Sequence, residues 1–363
     1  MPALSGKILN YRVFDIGADV DLEKFQRSLF SVTTQQRFRL SKFSRAMIIN
    51  NAPLALTFES GRHMCMGLLL DYDIAAKVWH FGAISVNIQF NIPDNLTWDQ
   101  LVELGALLEN DEAVQQMAVQ KVTQMLQQFD PNRLQNLKWT TFEDYTMYFF
   151  RSLPGAEKNA LNVFQQYDVH RLILSESHEI LSEQVKKAVA DGAIQYSESD
   201  LAVINWNSAL IIEPSGSFDI PDVIEFALCQ LLEMRYYDDV LDERLASLYS
   251  TLEGKGLSIW ETYSERMSRE AARKYLEISD TIESVENSLK VVGDFYLAQV
   301  FRAASTRLRF NDWKDSVDQK LNNLAQIAKL MTNELNERRS RLLEMIIIVL
   351  IAIELIPFVT KLF

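Results

Sequence analysis

The residues that could carry chemistry are few. His63 and Cys65 stand two apart in GRHMCMG, and on a strand such a pair points to one face and offers two ligands to a metal or a redox centre. A third ligand is not visible nearby, and buried strand packing explains the pair as well. The run Arg235 to Glu243, RYYDDVLDE, sets Asp238 against Asp242, and Asp239 against Glu243, one helical turn apart, a spacing able to share a divalent cation. A solvated helix face tempered by Arg235 and Arg244 is the plainer reading. His170 and His178 flank a strand end and a helix start, and both read as structural.

Four histidines leave little material for acid/base or metal work. GxxxxGKS/T, HExxH, GxSxG and a strand-then-GxGxxG fingerprint are all absent from the sequence. The expectation is therefore no enzyme, with no catalytic, cofactor-binding or metal residues and no cofactor.

The scaffold that would position these residues is long and acidic. In 363 residues, 49 acidic side chains outweigh 36 basic ones, so the average surface repels phosphate and no direct nucleic-acid partner is expected. Gly and Pro are scarce, at 12 and 8, which favours long uninterrupted elements. The two cysteines, Cys65 and Cys229, form no CxxC or zinc pattern and fit a reducing compartment. The first residues enter a strand-like pattern without the layout of a secretory signal.

Residues 84 to 92 alternate strictly, with Ile84, Val86, Ile88, Phe90 and Ile92 on one face and Ser85, Asn87, Gln89 and Asn91 on the other. That is a half-buried strand whose second face is wet or covered by something polar. Further strands are expected at Ile8 to Phe14, Ala46 to Phe58, Tyr145 to Phe150 and Arg171 to Leu174, with a hairpin from Leu201–Trp206 to Ala209–Ile212 around Asn207 and Ser208. Helices fall near Asp21–Leu29, Trp98–Leu108, Glu112–Phe129 and Glu179–Ala190. The fold class read from this order is α+β: a sheet with helices on one face, built of duplicated ferredoxin-like units, followed by a helical bundle or coiled-coil hairpin and one transmembrane helix.

Asp219 to Ser250 reads as a core helix, opened by an acidic cap and Pro221. A stripe of Ile278, Ile282, Val285, Leu289, Val292 and Tyr296 follows, then a reversal at Arg309 to Trp313 with Asn311 or Asp312 as N-cap. Beyond it Val317, Leu321, Leu324, Ala328, Met331 and Leu335 recur at spacings of four and three, broken at Arg338 and resumed at Leu342, Met345, Val349, Ala352 and Ile356. This seam serves an intrachain bundle or, alternatively, a homo-oligomeric coiled coil.

From Leu342 the chain reads LLEMIIIVLIAIELIPFVTKLF, roughly 22 residues and about 33 Å if helical, enough for a bilayer. The expected anchor comprises Leu342, Met345, Ile346, Ile347, Ile348, Val349, Leu350 and Ile351, with Glu354 and Pro357 as its irregular members. Glu354 would cost about 2.5 to 3.5 kcal/mol at the bilayer centre. Arg338, Arg339 and Arg341 before the run place the body on the cytoplasmic or matrix side.

In DLAVINWNSALIIEP (200 to 214), in LDERL (241 to 245) and above all in NELNERRSRLLEMIIIVLIAIELI (333 to 356), the chain resembles the family named "required for meiotic nuclear division". The resemblance implies a membrane-anchored protein without an established catalytic activity and with no catalytic residues to carry over. Mitochondrial relatives are associated with the inner membrane and organellar translation, fungal ones with sporulation.

The resulting division is 1–215 α/β body, 216–311 helical domain, 312–341 coiled-coil neck and 342–363 anchor. The function expected is a non-enzymatic scaffold on a bacterial inner membrane, with the mitochondrial inner membrane as alternative. Its partners would be a lipid bilayer, its own copies and a ribosome-associated or membrane complex. The rival is a membrane-tethered hydrolase or nucleotide-binding enzyme with an unrecognised site.

Overall fold

The structure is a computed structural model; it describes residues 4–17, 20–29, 34–37, 47–49, 51–132, 142–254 and 295–359, with scattered positions between 269 and 291. The chain divides into two compact units, one of Met1–Tyr236 with Glu283–Trp313, the other of Tyr237–Ile282 with Lys314–Phe363.

The first unit is built on a sheet of ten described strands: β1 (Gly6–Asp15), β2 (Thr34–Arg37), β4 (Leu54–Thr57), β5 (Gly61–Cys65), β6 (Leu68–Val78), β7 (Ala83–Asn91), β8 (Phe142–Phe150), β9 (Ala193–Ile194), β10 (Leu201–Ile204) and β11 (Ser208–Ile212). Their order is β2-β4-β6-β7-β1-β8-β11-β10-β9, with β5 paired to β6. A separate pair joins β3 (Met47–Ile49) to β12 (Leu289–Val291). Among the described strands only β8 and β11 run parallel. One continuous sheet with one parallel pair replaces the expected duplication of ferredoxin-like units.

Strand alternation sends two sets of side chains to opposite faces. Ile8 and Phe14 of β1, Ile84, Val86, Ile88 and Phe90 of β7, and Tyr148 and Phe150 of β8 join the main apolar core. That core is closed by α2 (Trp98–Glu109) and α3 (Glu112–Phe129), which follow α1 (Leu22–Ser28). Each helix starts on a cap that sequence supplies: Asp21 for α1, a Thr97–Gln100 capping box for α2, and Asp111 for α3. Gly105 lets α2 lie directly on β8, because a Cβ there would collide with the Tyr148 hydroxyl.

The opposite face is covered too, which corrects the one-sided arrangement. Its residues are Leu9, Tyr11 and Val13 of β1, Ser85 and Asn87 of β7, Lys77 and Trp79 at the end of β6, and Glu143 and Tyr145 of β8. Across them lie the first turns of α7 (Asp219–Gly254), joined by α8 (Phe295–Arg307). Trp79 and Phe301 both pack against the ring of Phe226. Three short helices, α4 (Val163–Gln166), α5 (Val169–Ile173) and α6 (Glu183–Ala190), lie between β8 and β9.

Local chemistry explains the other departures. Of Arg171–Leu174, expected as a strand, the first three residues belong to α5 and Leu174 ends it, because Asp168 caps that helix and Arg171 donates to the carbonyls of Glu176 and Ser177. The run Ala46–Phe58 is divided by Asn51 in the left-handed region at φ 52°. Leu289 lies in β12 and Tyr296 in α8, so the apolar stripe from Ile278 does not form one helix; Val285 and Val292 lie outside the described residues. The reversal falls at Arg309, φ 56°, two residues ahead of the expected cap, and the next helix begins at Phe310.

In the second unit, α7 continues beyond Tyr237, and α9 (Phe310–Val359), 50 residues and about 75 Å long, belongs to this unit except for its opening turn. Val317, Leu321, Leu324 and Ala328 are buried within the chain, as are Leu241, Leu245 and Leu248. The side chains of Met331 and Leu335 lie outside the described set.

The transmembrane expectation is overturned. Among the described residues no helix is long and apolar enough to cross a membrane. The unbroken apolar run, Met345 to Ile353, is nine residues, only about 14 Å of helix against a hydrocarbon core of about 30 Å. Glu344 and Arg341 close it on one side and Glu354 on the other; the side chains of Glu354 and Pro357 are outside the described set. The single-pass anchor of Leu342, Met345, Ile346, Ile347, Ile348, Val349, Leu350, Ile351, Glu354 and Pro357 is withdrawn. Both inner-membrane localisations, which rested on that anchor, are withdrawn with it.

Candidate functional site

The densest buried chemistry lies under the first turns of α7. Lys77 Nζ stands 2.6 Å from Asp222 Oδ1 and 2.6 Å from Glu225 Oε2. Ser85 donates its hydroxyl to the other oxygen of Glu225. Strand alternation delivers Lys77 and Ser85 to the same face from neighbouring strands, in register across β6 and β7. Asp222 and Glu225, three apart on α7, project one above the other toward that face.

Burial dominates the electrostatics. It alone would lower the Lys77 pKa, but the two carboxylates outweigh it and hold the ammonium above the usual lysine range. Burial raises the Asp222 carboxyl; Lys77 pulls it back and Glu225 pushes it up again, leaving it at about 6. The phenol of Tyr11 and the thiol of Cys229 are both driven upward, first by burial and then by the charge of Glu225. A thiol so raised is a poor nucleophile. The arrangement can hold a helix and store a proton.

A second cluster lies on the other face. His63 and Cys65 do share a face of β5, as their spacing implies, and His63 Nε2 is 2.6 Å from Asp111 Oδ2. Burial favours the neutral form of Asp111, but the bond to His63 and the N–H of Ala113 prevail and hold its pKa below the usual value. The thiol of Cys65 is raised by burial and by Asp111. Arg12, buried beside them, donates to Gln115, to the Glu109 carbonyl and to the Tyr11 carbonyl. Among the described residues no group of three or more His, Cys, Asp or Glu is placed to hold a metal ion.

The acidic run on α7 has a cation of its own. Lys320 Nζ lies 2.8 Å from Asp238 Oδ1 and 2.6 Å from Asp242 Oδ2, and Ser316 donates to Asp238. Asp239 and Glu243 are exposed. Arg235 instead reaches Glu143 and lies over the Trp313 ring. His170 sits 3.4 Å from Asp168, in an open groove of about 540 Å³ with Phe164, Glu183 and Lys187; His178 is exposed.

Lys77, Asp222, Glu225 and Asp111 were not singled out by motif. The signal for the first three was present in part: the polar row Ser85, Asn87, Gln89 implied either water or a polar cover. The alternation of Leu70, Tyr72, Ile74, Ala76 and Val78 places Lys77 on that row's face.

A family model described as "Uncharacterized protein MJ0711, N-terminal domain" matches residues 5–219, more than half of the chain. The chain belongs to this MJ0711 N-terminal domain family. Uncharacterized protein MJ0711 of Methanocaldococcus jannaschii is 23% identical over 220 residues, which cover 60% of this chain and 66% of that protein. The chain thus spans just under two thirds of that relative's length. No solved structure matches the chain at a significant level.

The MJ0711 family match overturns the resemblance to the family required for meiotic nuclear division. It covers the sheet and ends as α7 begins, whereas that resemblance rested chiefly on charged and apolar helical segments, a pattern common to unrelated helices.

Proposed function

We propose that this chain is an assembly protein: a sheet-and-helix body carrying a long helix through which copies of the chain bind one another. The observation that carries the reading is the state of α9 beyond Arg341. Leu342, Leu343, Met345, Ile346, Ile347, Ile348, Val349, Leu350, Ile351 and Ile353 are all 48–65% exposed. At roughly 100 Å² each, they leave on the order of 1,000 Å² of apolar surface in water. Monomers seldom leave more than about 300–600 Å² in one patch, and a stable interface takes about 800 Å² from each partner.

The run from Met345 to Ile351 is seven consecutive apolar residues, two turns of helix, so it is apolar on every side. One flat surface cannot cover such a helix, whereas a bundle of like helices can. The spacing of Leu342, Met345, Val349 and Ala352 continues the four-three rhythm of the segment before it, which favours the chain's own copies as the occupants.

Light scattering of the full chain over a range of concentrations tests this against a chain ended at Arg341. The full chain is expected at a multiple of 41.8 kDa and the shortened one as a monomer. A full chain that stays monomeric at tens of micromolar, or a shortened one that still assembles, rejects the proposal.

A further inference from the structure

We propose that docking of the first turns of α7 onto the sheet takes up a proton, so that the Lys77–Asp222–Glu225 cluster is a pH-sensitive latch that tightens as the medium turns acidic.

The argument starts from charge and burial. The cluster sets one ammonium against two carboxylates; the side chains of Lys77 and Asp222 are each 13% exposed and that of Glu225 is 3% exposed. A second buried carboxylate gains less from a shared lysine than it loses in hydration, so one of the two favours its neutral form. Among the described residues the groups facing Asp222 supply no second cation. They are Lys77 from β6, the Tyr11 phenol from β1 and Ser85 from β7 acting through Glu225, with Asp219, Glu225 and Cys229 on its own helix. The contact from α8 is the uncharged ring of Phe301 against Phe226.

The proton belongs on Asp222 rather than Glu225, because Glu225 accepts from both Lys77 and Ser85 and its charged form is the better satisfied. A pKa of about 6 for Asp222 agrees with this assignment. The sign then follows. An aspartate titrating near 3.9 in the unfolded chain and near 6 in the folded one binds its proton more tightly when folded. Its contribution to stability is full below about pH 4 and is lost as pH rises through about 6. Ten residues along α7 from Glu225, nearly three turns, Arg235 pairs with Glu143 of β8; burial raises the Glu143 pKa against the pull of Arg235, and it works in the same direction.

Hydrogen exchange in the full chain, read on peptides covering 222–234 and corrected for intrinsic rates, tests the latch. Protection should rise about tenfold from about pH 7.5 to about pH 5. In Asp222→Asn the same peptides should show little change with pH, and at pH 7.5 they should be at least as protected as in the unsubstituted chain. Protection that is flat or falls on acidification overturns the proposal, and so does a variant that keeps the full rise. If the variant does not fold, a carboxyl ¹³C titration of Asp222 in the unsubstituted chain decides; a midpoint at or below the ordinary aspartate value rejects the latch.

Discussion

Lys77 Nζ and Asp222 Oδ1 meet at 2.6 Å although 145 residues of chain separate them. The contact ties the end of β6 to the first turn of α7, and Glu225 takes the same ammonium. Removing the lysine leaves two carboxylates buried without it. Lys77→Met is expected to cost about 3–5 kcal/mol at pH 7.5 by urea unfolding. The loss should shrink at pH 5, where a proton replaces the missing cation. A loss under about 1 kcal/mol at neutral pH would show that water reaches the cluster.

The bond between His63 and Asp111 has the opposite pH sign. Asp111 is held below its ordinary pKa, so its contribution is present above the unfolded value and is lost as pH falls through the folded one. It also caps α3 through the Ala113 N–H at 2.8 Å. Asp111→Ala should destabilise the chain by about 1–2 kcal/mol near neutrality. The difference from the unsubstituted chain should shrink as pH is lowered from neutrality to about 3, below the ordinary aspartate value. A constant difference down to that pH would assign the loss to packing.

Gly105 is the point of closest approach between α2 and β8, and the atom it would strike is the hydroxyl of Tyr148, itself buried. Gly105→Ala gains helix propensity of about 1 kcal/mol and loses about 1–3 kcal/mol to overpacking. Net destabilisation is expected, and Tyr148→Phe in the same chain should recover most of it. Thermal melting of the single and double variants checks both.

Lys320 serves two carboxylates, of which Asp238 is buried. Lys320→Ala should cost about 1–3 kcal/mol, and Lys320→Ala with Asp238→Asn should cost less than the sum of the two single changes. Additive losses in a double-mutant cycle would deny the coupling.

The sequence by itself determined the elements whose signals are local. The alternation of 84 to 92, the capping residues Asp21, Thr97 and Asp111, and the short hairpin joining β10 to β11 each fix a few neighbouring dihedrals and need no distant partner, although the hairpin turns at Asn205 to Asn207 and Ser208, expected in the turn, already belongs to β11. The alternation of 84 to 92 left its second face either wet or under a polar cover, and did not show which, nor which element supplies the cover. Arg171–Leu174 misled because β-compatible side chains there are overruled by the Asp168 cap. The terminal apolar run misled because its roughly 22 residues read as one span, whereas its unbroken apolar part is only nine residues.

Only the tertiary structure brought Lys77, Ser85, Asp222 and Glu225 together. Ionic and hydrogen-bonding partners far apart in sequence leave no periodic trace, since any lysine and any aspartate read alike until folding sets their separation and removes their water. The same holds for Asp238 and Lys320, where carboxylates at helical spacing resembled a cation site and the cation is a side chain from another helix. Spacing along the chain records which face a residue takes; what that face meets is decided by packing.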